Sequence, residues 1–234
     1  MARDDIDDFD VATGHRARMR AKLARAGGDG FHDYELLEYL LSLVTPRRDT
    51  KPLARHLIQE FGSLPSVLAA THSELERISG LGETGIAAIK FAREVAIRSM
   101  QEAVLGRPIL SSWQAVIDYL TADMAHGLTE RFRVLFLNSK NILVRDEVMQ
   151  EGTVNQTAVY VREVIKRALE LGATALVLVH NHPSGDPRPS RDDIDMTNDI
   201  VDAGRRLGIS VHDHLVIGSN GHASFKTLGY LAEG

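Results

Sequence analysis

Residues 176–193 read LVLVHNHPSGDPRPSRDD and join an apolar run to a polar loop. A short, continuous run of aliphatic residues indicates a strand that is buried on both faces of a sheet. The run ends in His180, Asn181 and His182, and the chain then turns through a loop that contains three prolines. Side chains two positions apart on a strand point to the same side, so the two imidazoles can converge on one point. The stretch therefore predicts an α/β fold with a two-histidine grip at a strand end.

A carboxylate follows the loop at a useful spacing. Asp193 lies early in a predicted helix, three residues after Ser190. Two histidines and an aspartate form an N/N/O donor set, which suits Zn²⁺ and leaves a fourth tetrahedral position for a water nucleophile. The Ser-x-x-Asp spacing is also that of a helix capping box, a role compatible with metal ligation. A lone H-x-H is more often structural, but the whole combination predicts one zinc ion per chain, held by His180, His182 and Asp193.

Composition limits the classes of function. The 234 residues are 44% hydrophobic and 25% charged, as in a globular protein, and the net charge of −5 argues against a general nucleic-acid coat. There is no cysteine, so disulfides, cysteine nucleophiles and cysteine zinc knuckles are excluded and a metal must use histidine and carboxylate ligands. The acidic start lacks the pattern of a secretory signal, and no apolar run is long enough for a membrane span. We expect a cytoplasmic protein with no membrane contact.

The pattern along the chain predicts two domains after a mobile acidic lead-in at 1–14. Residues 15–106 read as a succession of helices and predict a small all-α domain. The GRPILSS stretch at 106–112 marks the junction. An α/β domain is expected over 110–234, with helices at 113–121, 157–172 and 192–208, and strands at 131–138, 142–150, 175–180, 209–218 and 222–227.

The motif H-N-H-P-S-G-D-P-x-P-S-x-x-D at 180–193 is similar to the signature of the RadC family, a bacterial form of the JAMM motif of MPN-type metallopeptidases. The segments 130–141, 147–173 and 212–218 resemble the same family, as does the helical N-terminal third. The resemblance implies an MPN (JAB) domain, with a mixed sheet flanked by helices, after a small all-α domain. It also implies a zinc-dependent hydrolase of amide or isopeptide bonds that acts on a protein or peptide substrate.

The resemblance implies roles for further residues beside the same three ligands. Ser190 would donate a hydrogen bond near the zinc and stabilise the oxyanion. Glu130, which opens ERFRVLFLN, would be the general base and acid, with Glu151 as the competing candidate. Many active JAMM peptidases carry Ser or Thr between the two histidines, whereas this chain has Asn181, as RadC proteins do. That departure leaves the substrate unnamed.

A second H-x-H motif occurs at His212 and His214, within a predicted strand. Both side chains could face the same way, as in the first motif. Because no third ligand is suitably spaced, we expect a structural histidine or one that supports the first site rather than a separate metal.

The helical third contains one further motif. ISGLGETGIAAIKFA at 78–92 resembles a helix-hairpin-helix, in which Gly80 and Gly82 would form a tight turn with its amides directed at a DNA phosphate. The cations that would assist are Lys90 and Arg93. Such contacts would be independent of DNA sequence.

Two residues depart from the hairpin motif. Glu83 brings a carboxylate to the phosphate position, and Ile86 stands where an alanine is usual. A hairpin used only for packing or protein contact is therefore an equal alternative.

Two classes of function remain open: a zinc hydrolase, and a non-catalytic DNA-repair or replication accessory protein in which zinc stabilises the fold. Self-association into a homodimer also remains open.

Overall fold

The computed structural model describes residues 4–152 and 161–231 of the chain. It divides into two compact units, Met1–Val95 and Ala96–Gly234. The division falls inside one helix, Glu83–Val104. It therefore precedes the composition change at 106–112 from which the sequence predicts a boundary.

The first unit is helical, as expected. Its helices are α1 (Asp4–Ala26), α2 (Asp33–Val44), α3 (Lys51–Phe61), α4 (Leu64–Ala69), α5 (His72–Glu76) and the first part of α6 (Glu83–Val104). The helix predicted from residue 15 onward begins earlier, because the backbone of 4–14 already belongs to α1. Residues 1–3 of the predicted lead-in lie outside the described part of the chain. Helix α1 stops before Gly27, whose φ of 61° takes the chain out of the helical path.

One apolar cluster forms the core of this unit. It gathers buried side chains of α2, α3, α4, α5 and α6, including Leu37, Leu41, Leu57, Leu75 and Ile89. Leu37 and Leu41 are four residues apart and so lie on one face of α2. The apolar residues that recur at helical spacing in α2 are therefore buried on one face.

The second unit alternates helices and strands. After a short 3₁₀ turn (Ile109–Ser112) its elements are α7 (Trp113–Met124), β1 (Glu130–Leu137), β2 (Leu143–Gly152), α8 (Val161–Glu170), β3 (Ala175–Asn181), α9 (Arg191–Arg205), β4 (Ser210–Gly218) and β5 (Gly221–Ser224). The first four residues of the helix predicted at 157–172 lie outside the described residues. Among the helices in the described ranges, none is both long enough and apolar enough to cross a membrane.

The five strands form one mixed sheet in the order β2-β1-β3-β4-β5. Strands β3 and β4 run parallel, and the other three neighbouring pairs are antiparallel. The predicted fold class, a mixed sheet flanked by helices and preceded by a helical region, is confirmed.

Strand β3 is central and buried along its whole length. Its side chains alternate between two cores, since Val177 and Val179 pack in the cluster that contains α7, whereas Leu176 and Leu178 pack in the cluster that contains α8 and α9. A strand covered by helices on both faces must be apolar at every position, which explains the continuous aliphatic run. His180 ends that run on the α8/α9 face.

A charged network is buried where the sheet meets α7. The Arg133 guanidinium donates to the Asp123 carboxylate at 2.7 Å and to the Tyr119 hydroxyl at 2.8 Å. Tyr119 in turn donates to Asp146 at 2.5 Å, and Arg133 Nε lies 3.3 Å from the same carboxylate. Burial, followed by the charge of Asp146, raises the pKa of Tyr119 and keeps it protonated. One buried cation is thus balanced by two carboxylates.

Candidate metal centre

Three donor groups predicted from the sequence converge at the end of β3. His180 Nε2 lies 2.9 Å from His182 Nε2 and 3.3 Å from Asp193 Oδ1, and His182 Nε2 lies 3.5 Å from Asp193 Oδ2. One ligand atom from each residue lies within 4.8 Å of the others. Ligands about 2.0–2.1 Å from a tetrahedral zinc ion are about 3.3 Å from one another. The three donor groups are therefore spaced much as such an ion requires.

The chain brings these groups together through a short, fixed loop. The backbone amide of His182 donates to the Ile217 carbonyl of β4, which holds the histidine beside the sheet although β3 has ended. Its Nδ1 contacts the backbone carbonyl of Asp186 at 2.8 Å, inside the same loop. The loop turns at Gly185, whose φ of 84° is strained for any side chain. A Cβ at Gly218 would overlap the Gly185 carbonyl, so the loop also rests directly on β4.

The third donor group, Asp193, is held by the start of α9. Ser190 is the N-cap, and its backbone amide and its hydroxyl both donate to Asp193 Oδ2, at 2.7 and 2.6 Å. The Asp193 amide donates back to the Ser190 hydroxyl at 3.2 Å, which completes the capping box. These bonds leave Oδ1 directed at His180. The cap and the predicted ligand position are therefore produced by the same turn.

Charge is distributed unevenly over the cluster. Burial raises the pKa of Asp193, but the two histidines and the Ser190 hydroxyl lower it by more, so the group is a carboxylate. The same carboxylate raises the pKa of His182, against the opposing effect of burial. The cluster is thus anionic on the Asp193 side and attracts positive charge.

His180 is supported from behind by two buried groups. Its Nδ1 lies 2.7 Å from His214 Nε2, and His214 Nδ1 lies 2.6 Å from the Thr197 hydroxyl. Thr197 donates its hydroxyl proton to the Asp193 backbone carbonyl at 2.6 Å. Complete burial lowers the pKa of His214 well below its usual value, so the ring is neutral. A continuous hydrogen-bonded path, Asp193 carbonyl–Thr197–His214–His180, runs under the cluster.

The second H-x-H motif therefore divides between two places. His214 supports His180 of the donor cluster, as expected for a histidine near the first site. His212 instead lies with its Nε2 2.7 Å from Asn141 Oδ1, in a separate cleft that Trp113 and Lys226 also line. The sequence suggested that both rings could face one way, and this was wrong. Leu176 of β3 pairs with Val211 of β4, but the next residue, Val177, pairs with Asp213, so His212 is an extra residue in β4. This bulge breaks the alternation of side chains along the strand, and the two rings point to different sides.

The two candidate bases lie on opposite faces of the sheet. Phe132 is paired with His180, and Glu130, two residues earlier on β1, shares its face. The charge of Glu130 contributes to the raised pKa of His182, in agreement with that position. Glu151 is paired with Arg131, whose guanidinium donates to the Asp123 carbonyl of α7 on the other side. Glu151 accepts a hydrogen bond from the Thr129 hydroxyl instead.

A model of the family described as RadC-like JAB domain matches residues 110–230, which include the sheet, its helices and all the residues of the cluster. The chain belongs to this family. The match agrees with the resemblance carried by the H-N-H-P-S-G-D-P segment. The helical region before residue 110 lies outside the matched part of the RadC-like JAB domain.

The residues predicted to contact DNA lie in that helical region, outside the RadC-like JAB domain. Gly80 has a φ of 86° and lies in the turn that the Leu81 amide closes on the Ile78 carbonyl, and Gly82 directly precedes α6. Lys90, however, is half-buried and donates through Nζ to the Ala70 carbonyl, so its ammonium is directed into the unit. Burial also lowers its pKa.

The other predicted DNA contact, Arg93, is half-buried on α6. The basic part of α1 is likewise engaged, since the Arg16 guanidinium donates to the carbonyls of Pro46 and Arg48. Glu83 is the first residue of α6, and its carboxylate lies 3.8 Å from Nε2 of His72 in α5. DNA contact therefore stays a prediction, and of the expected cations Lys90 is turned away from the role assigned to it.

One residue of the RadC-like JAB domain site was missed by the sequence reasoning. Thr197 completes the support of His180 but belongs to no motif that we recognised. Its spacing carried a signal, because a threonine four residues after Asp193 lies on the same face of α9. The role of Thr197 becomes clear only in the tertiary structure, where β4 places His214 against this face of α9.

Proposed function

We propose that the protein is a zinc-dependent hydrolase that cleaves an amide or isopeptide bond. Zinc would be held by His180, His182 and Asp193. The observation that carries the proposal is the pair of imidazole nitrogens facing each other beside a carboxylate, at a spacing that fits a tetrahedral ion.

The hydrogen bonds behind His180 determine which of its nitrogens carries a proton. Thr197 has one hydroxyl proton and donates it to a carbonyl, so its oxygen accepts from His214 Nδ1–H. In the neutral His214 ring Nε2 is then an acceptor, and it accepts from His180 Nδ1–H. When His180 is neutral, its Nε2 therefore presents a lone pair to the cluster.

His182 is directed in the same way. Its Nδ1 faces the Asp186 carbonyl, which can only accept, so Nδ1 carries the proton and Nε2 presents the lone pair. Two unprotonated nitrogens 2.9 Å apart repel unless positive charge lies between or beside them. A shared proton or a metal ion supplies that charge, and the set of two imidazoles and one carboxylate suits zinc. Metal-binding histidines commonly have their second nitrogen fixed in this manner.

When bound, zinc polarises a carbonyl oxygen and lowers the pKa of a water ligand to about 7. The chain supplies the proton transfer. Glu130 lies on the face of the sheet that carries His180, which supports it over Glu151 as the general base. Its carboxylate would take a proton from the attacking water as the C–O bond forms, and would give a proton to the amine as the C–N bond breaks.

Ser190 acts on the third ligand. Its hydroxyl and amide donate to one oxygen of Asp193, which restricts the carboxylate to the orientation in which the other oxygen is directed at His180. The stabilisation of an oxyanion by Ser190 stays a prediction from the family resemblance. In that role its hydroxyl would have to turn from Asp193 towards the substrate.

The proposal is tested by zinc content and by hydrolysis of two probes, fluorescein-labelled casein and a peptide branched through a lysine isopeptide bond. His182→Ala should lose zinc and all turnover, because one of three ligands is gone. Glu130→Gln should keep zinc and lose turnover, because the amide keeps the shape but cannot accept the proton. The wild type should lose activity on treatment with EDTA and regain it with Zn²⁺.

Two matched variants serve as controls. His212→Ala removes the histidine of the second motif that lies away from the cluster, and Glu151→Gln removes the competing carboxylate on the other face. Both should keep zinc and activity. If Glu130→Gln retained full turnover while Glu151→Gln lost it, the assignment of the base would be wrong. If the zinc-loaded wild type cleaved neither probe, the hydrolase proposal would lose its support for these bond classes.

A further inference from the structure

The residue between the two histidines contacts the strand that carries the candidate base. Asn181 is fully buried. Its side-chain Oδ1 accepts a hydrogen bond from the Arg131 amide at 2.9 Å, and its Nδ2 donates to the Thr129 carbonyl at 3.1 Å. Only this orientation of the amide satisfies both partners, since an N–H must face an acceptor and an oxygen must face a donor.

These two partners are the peptide groups on either side of Glu130. The Thr129 carbonyl belongs to the peptide before Glu130, and the Arg131 amide belongs to the peptide after it. The φ and ψ angles of Glu130 are the rotations between those two planes. A single side chain thus restrains both backbone torsions of the residue that the proposed mechanism uses as base.

The sheet itself does not supply this restraint on the β3 side. Main-chain pairing between β1 and β3 extends from Leu137↔Ala175 to Phe132↔His180 and ends there. Glu130 and Arg131 lie beyond the last pair. The carboxamide of Asn181 takes over from the strand, because it offers a donor and an acceptor side by side as a peptide group does.

We infer that Asn181 is a positioning residue, which holds Glu130 at a fixed place relative to the metal ligands. The inference rests on the proposed function for the role of Glu130. Three consecutive residues then join the two parts of the site: His180 and His182 are directed at the metal, and Asn181 is directed at the start of β1. A serine or threonine in its place would be too short to reach both peptide groups.

The Asn181 side chain lies where a side chain at Gly127 would crowd it. A Cβ at Gly127 would lie 3.1 Å from Asn181 Nδ2 and 3.3 Å from the Met124 carbonyl. Such separations are closer than ordinary van der Waals contact, so glycine leaves just enough room for the carboxamide. Gly127→Ala therefore presses on the carboxamide without changing its chemistry, and is a second way to disturb the same contact.

The test uses the full chain with Asn181→Ser and Gly127→Ala. Amide hydrogen exchange by NMR reports on the Arg131 N–H directly, and its rate should rise about tenfold or more in Asn181→Ser as the bond is lost. Zinc content should stay at the wild-type level, because the ligands are untouched. On the branched isopeptide probe, kcat should fall about tenfold to a hundredfold with a smaller change in KM, as expected when a catalytic group is displaced. Gly127→Ala should give a smaller effect of the same kind.

Asn138→Ser is the matched control. Asn138 lies after the other end of β1 and also accepts from two backbone amides, those of Lys140 and Ile142 at 2.9 and 3.1 Å. This variant should lower stability in a comparable way but leave the Arg131 exchange rate and kcat unchanged. A fall in kcat equal to that of Asn181→Ser would mean that loss of stability explains both.

A double-mutant cycle separates positioning from general damage. If Asn181 acts through Glu130, Asn181→Ser should cause little further loss in a Glu130→Asp background, which keeps a carboxylate but has already withdrawn it by one methylene. An equal loss in both backgrounds overturns the inference. If the zinc-loaded wild type cleaves no probe, the proposed function fails, and the Arg131 exchange rate alone then tests the contact. Equal exchange in wild type and Asn181→Ser would refute it.

Discussion

The hydrogen-bonded path beneath His180 leads to a prediction about metal affinity. Thr197→Val keeps the shape of the side chain and removes the hydroxyl. That hydroxyl accepts from His214 and donates to the Asp193 carbonyl, both at 2.6 Å, and both Thr197 and His214 are buried. Valine leaves the His214 Nδ1–H without a partner, at a cost of about 1–3 kcal/mol.

The His214 ring can avoid this cost by moving its proton to Nε2. That N–H would then face the Nδ1–H of His180, 2.7 Å away. His180 would have to move its own proton to Nε2, the atom that is expected to bind zinc. Loss of such outer contacts typically weakens metal affinity by about 10-fold to 100-fold, which equals about 1.4–2.8 kcal/mol. The first route lowers stability with or without zinc, whereas the second is open only to the metal-free protein and therefore opposes the metal.

Competition with a chromophoric zinc chelator measures this affinity, and urea unfolding of the metal-free protein measures the stability. Thr197→Val should bind zinc about 10-fold to 100-fold more weakly and unfold about 1–3 kcal/mol more easily. Thr227→Val is the control, since Thr227 is exposed in the same unit. Wild-type zinc affinity in Thr197→Val would refute the argument that the buried path directs His180.

Two further predictions follow from the same unit. Arg133→Leu should lower the free energy of unfolding by about 3–5 kcal/mol in urea titrations, because it leaves the Asp146 carboxylate buried without its cation and leaves Asp123 only the more distant Arg131, at 3.6 Å; a loss under 1 kcal/mol would mean that water reaches the two carboxylates. Gly218→Ala should reduce zinc affinity with little change in α-helical circular dichroism, because the new methyl group displaces the Gly185 carbonyl and with it the loop that fixes His182; unchanged zinc affinity would contradict this coupling.

The local features of the protein could be predicted from its sequence. The aliphatic run of β3, the helical periodicity of the first unit and the Ser190 cap of α9 each depend on residues close together in the chain. The three donor groups at 180, 182 and 193 were also within reach, because a strand end and a helix start joined by one short loop leave little freedom. Glu130 was not, since only the family resemblance connected it to a motif fifty residues later.

The details that the sequence left open all involve pairing between distant segments. Whether Glu130 or Glu151 shares a face with His180 depends on the register of β1 with its two neighbours. The different fates of His212 and His214 depend on a register shift in β4, and Lys90 turns inward because the Ala70 carbonyl lies within its reach. None of these contacts leaves a local pattern in the chain.

The sequence by itself determined the types of the elements and the chemistry of the donor groups, because periodicity and spacing act over a few residues. The tertiary structure alone decided which groups support them. His214 and Thr197 come to His180 through the parallel pairing of β3 with β4 and the packing of α9, and Asn181 comes to Glu130 where the β1–β3 ladder ends. The physical reason is that register is set by burying both faces of the sheet at once, which is a property of the whole domain.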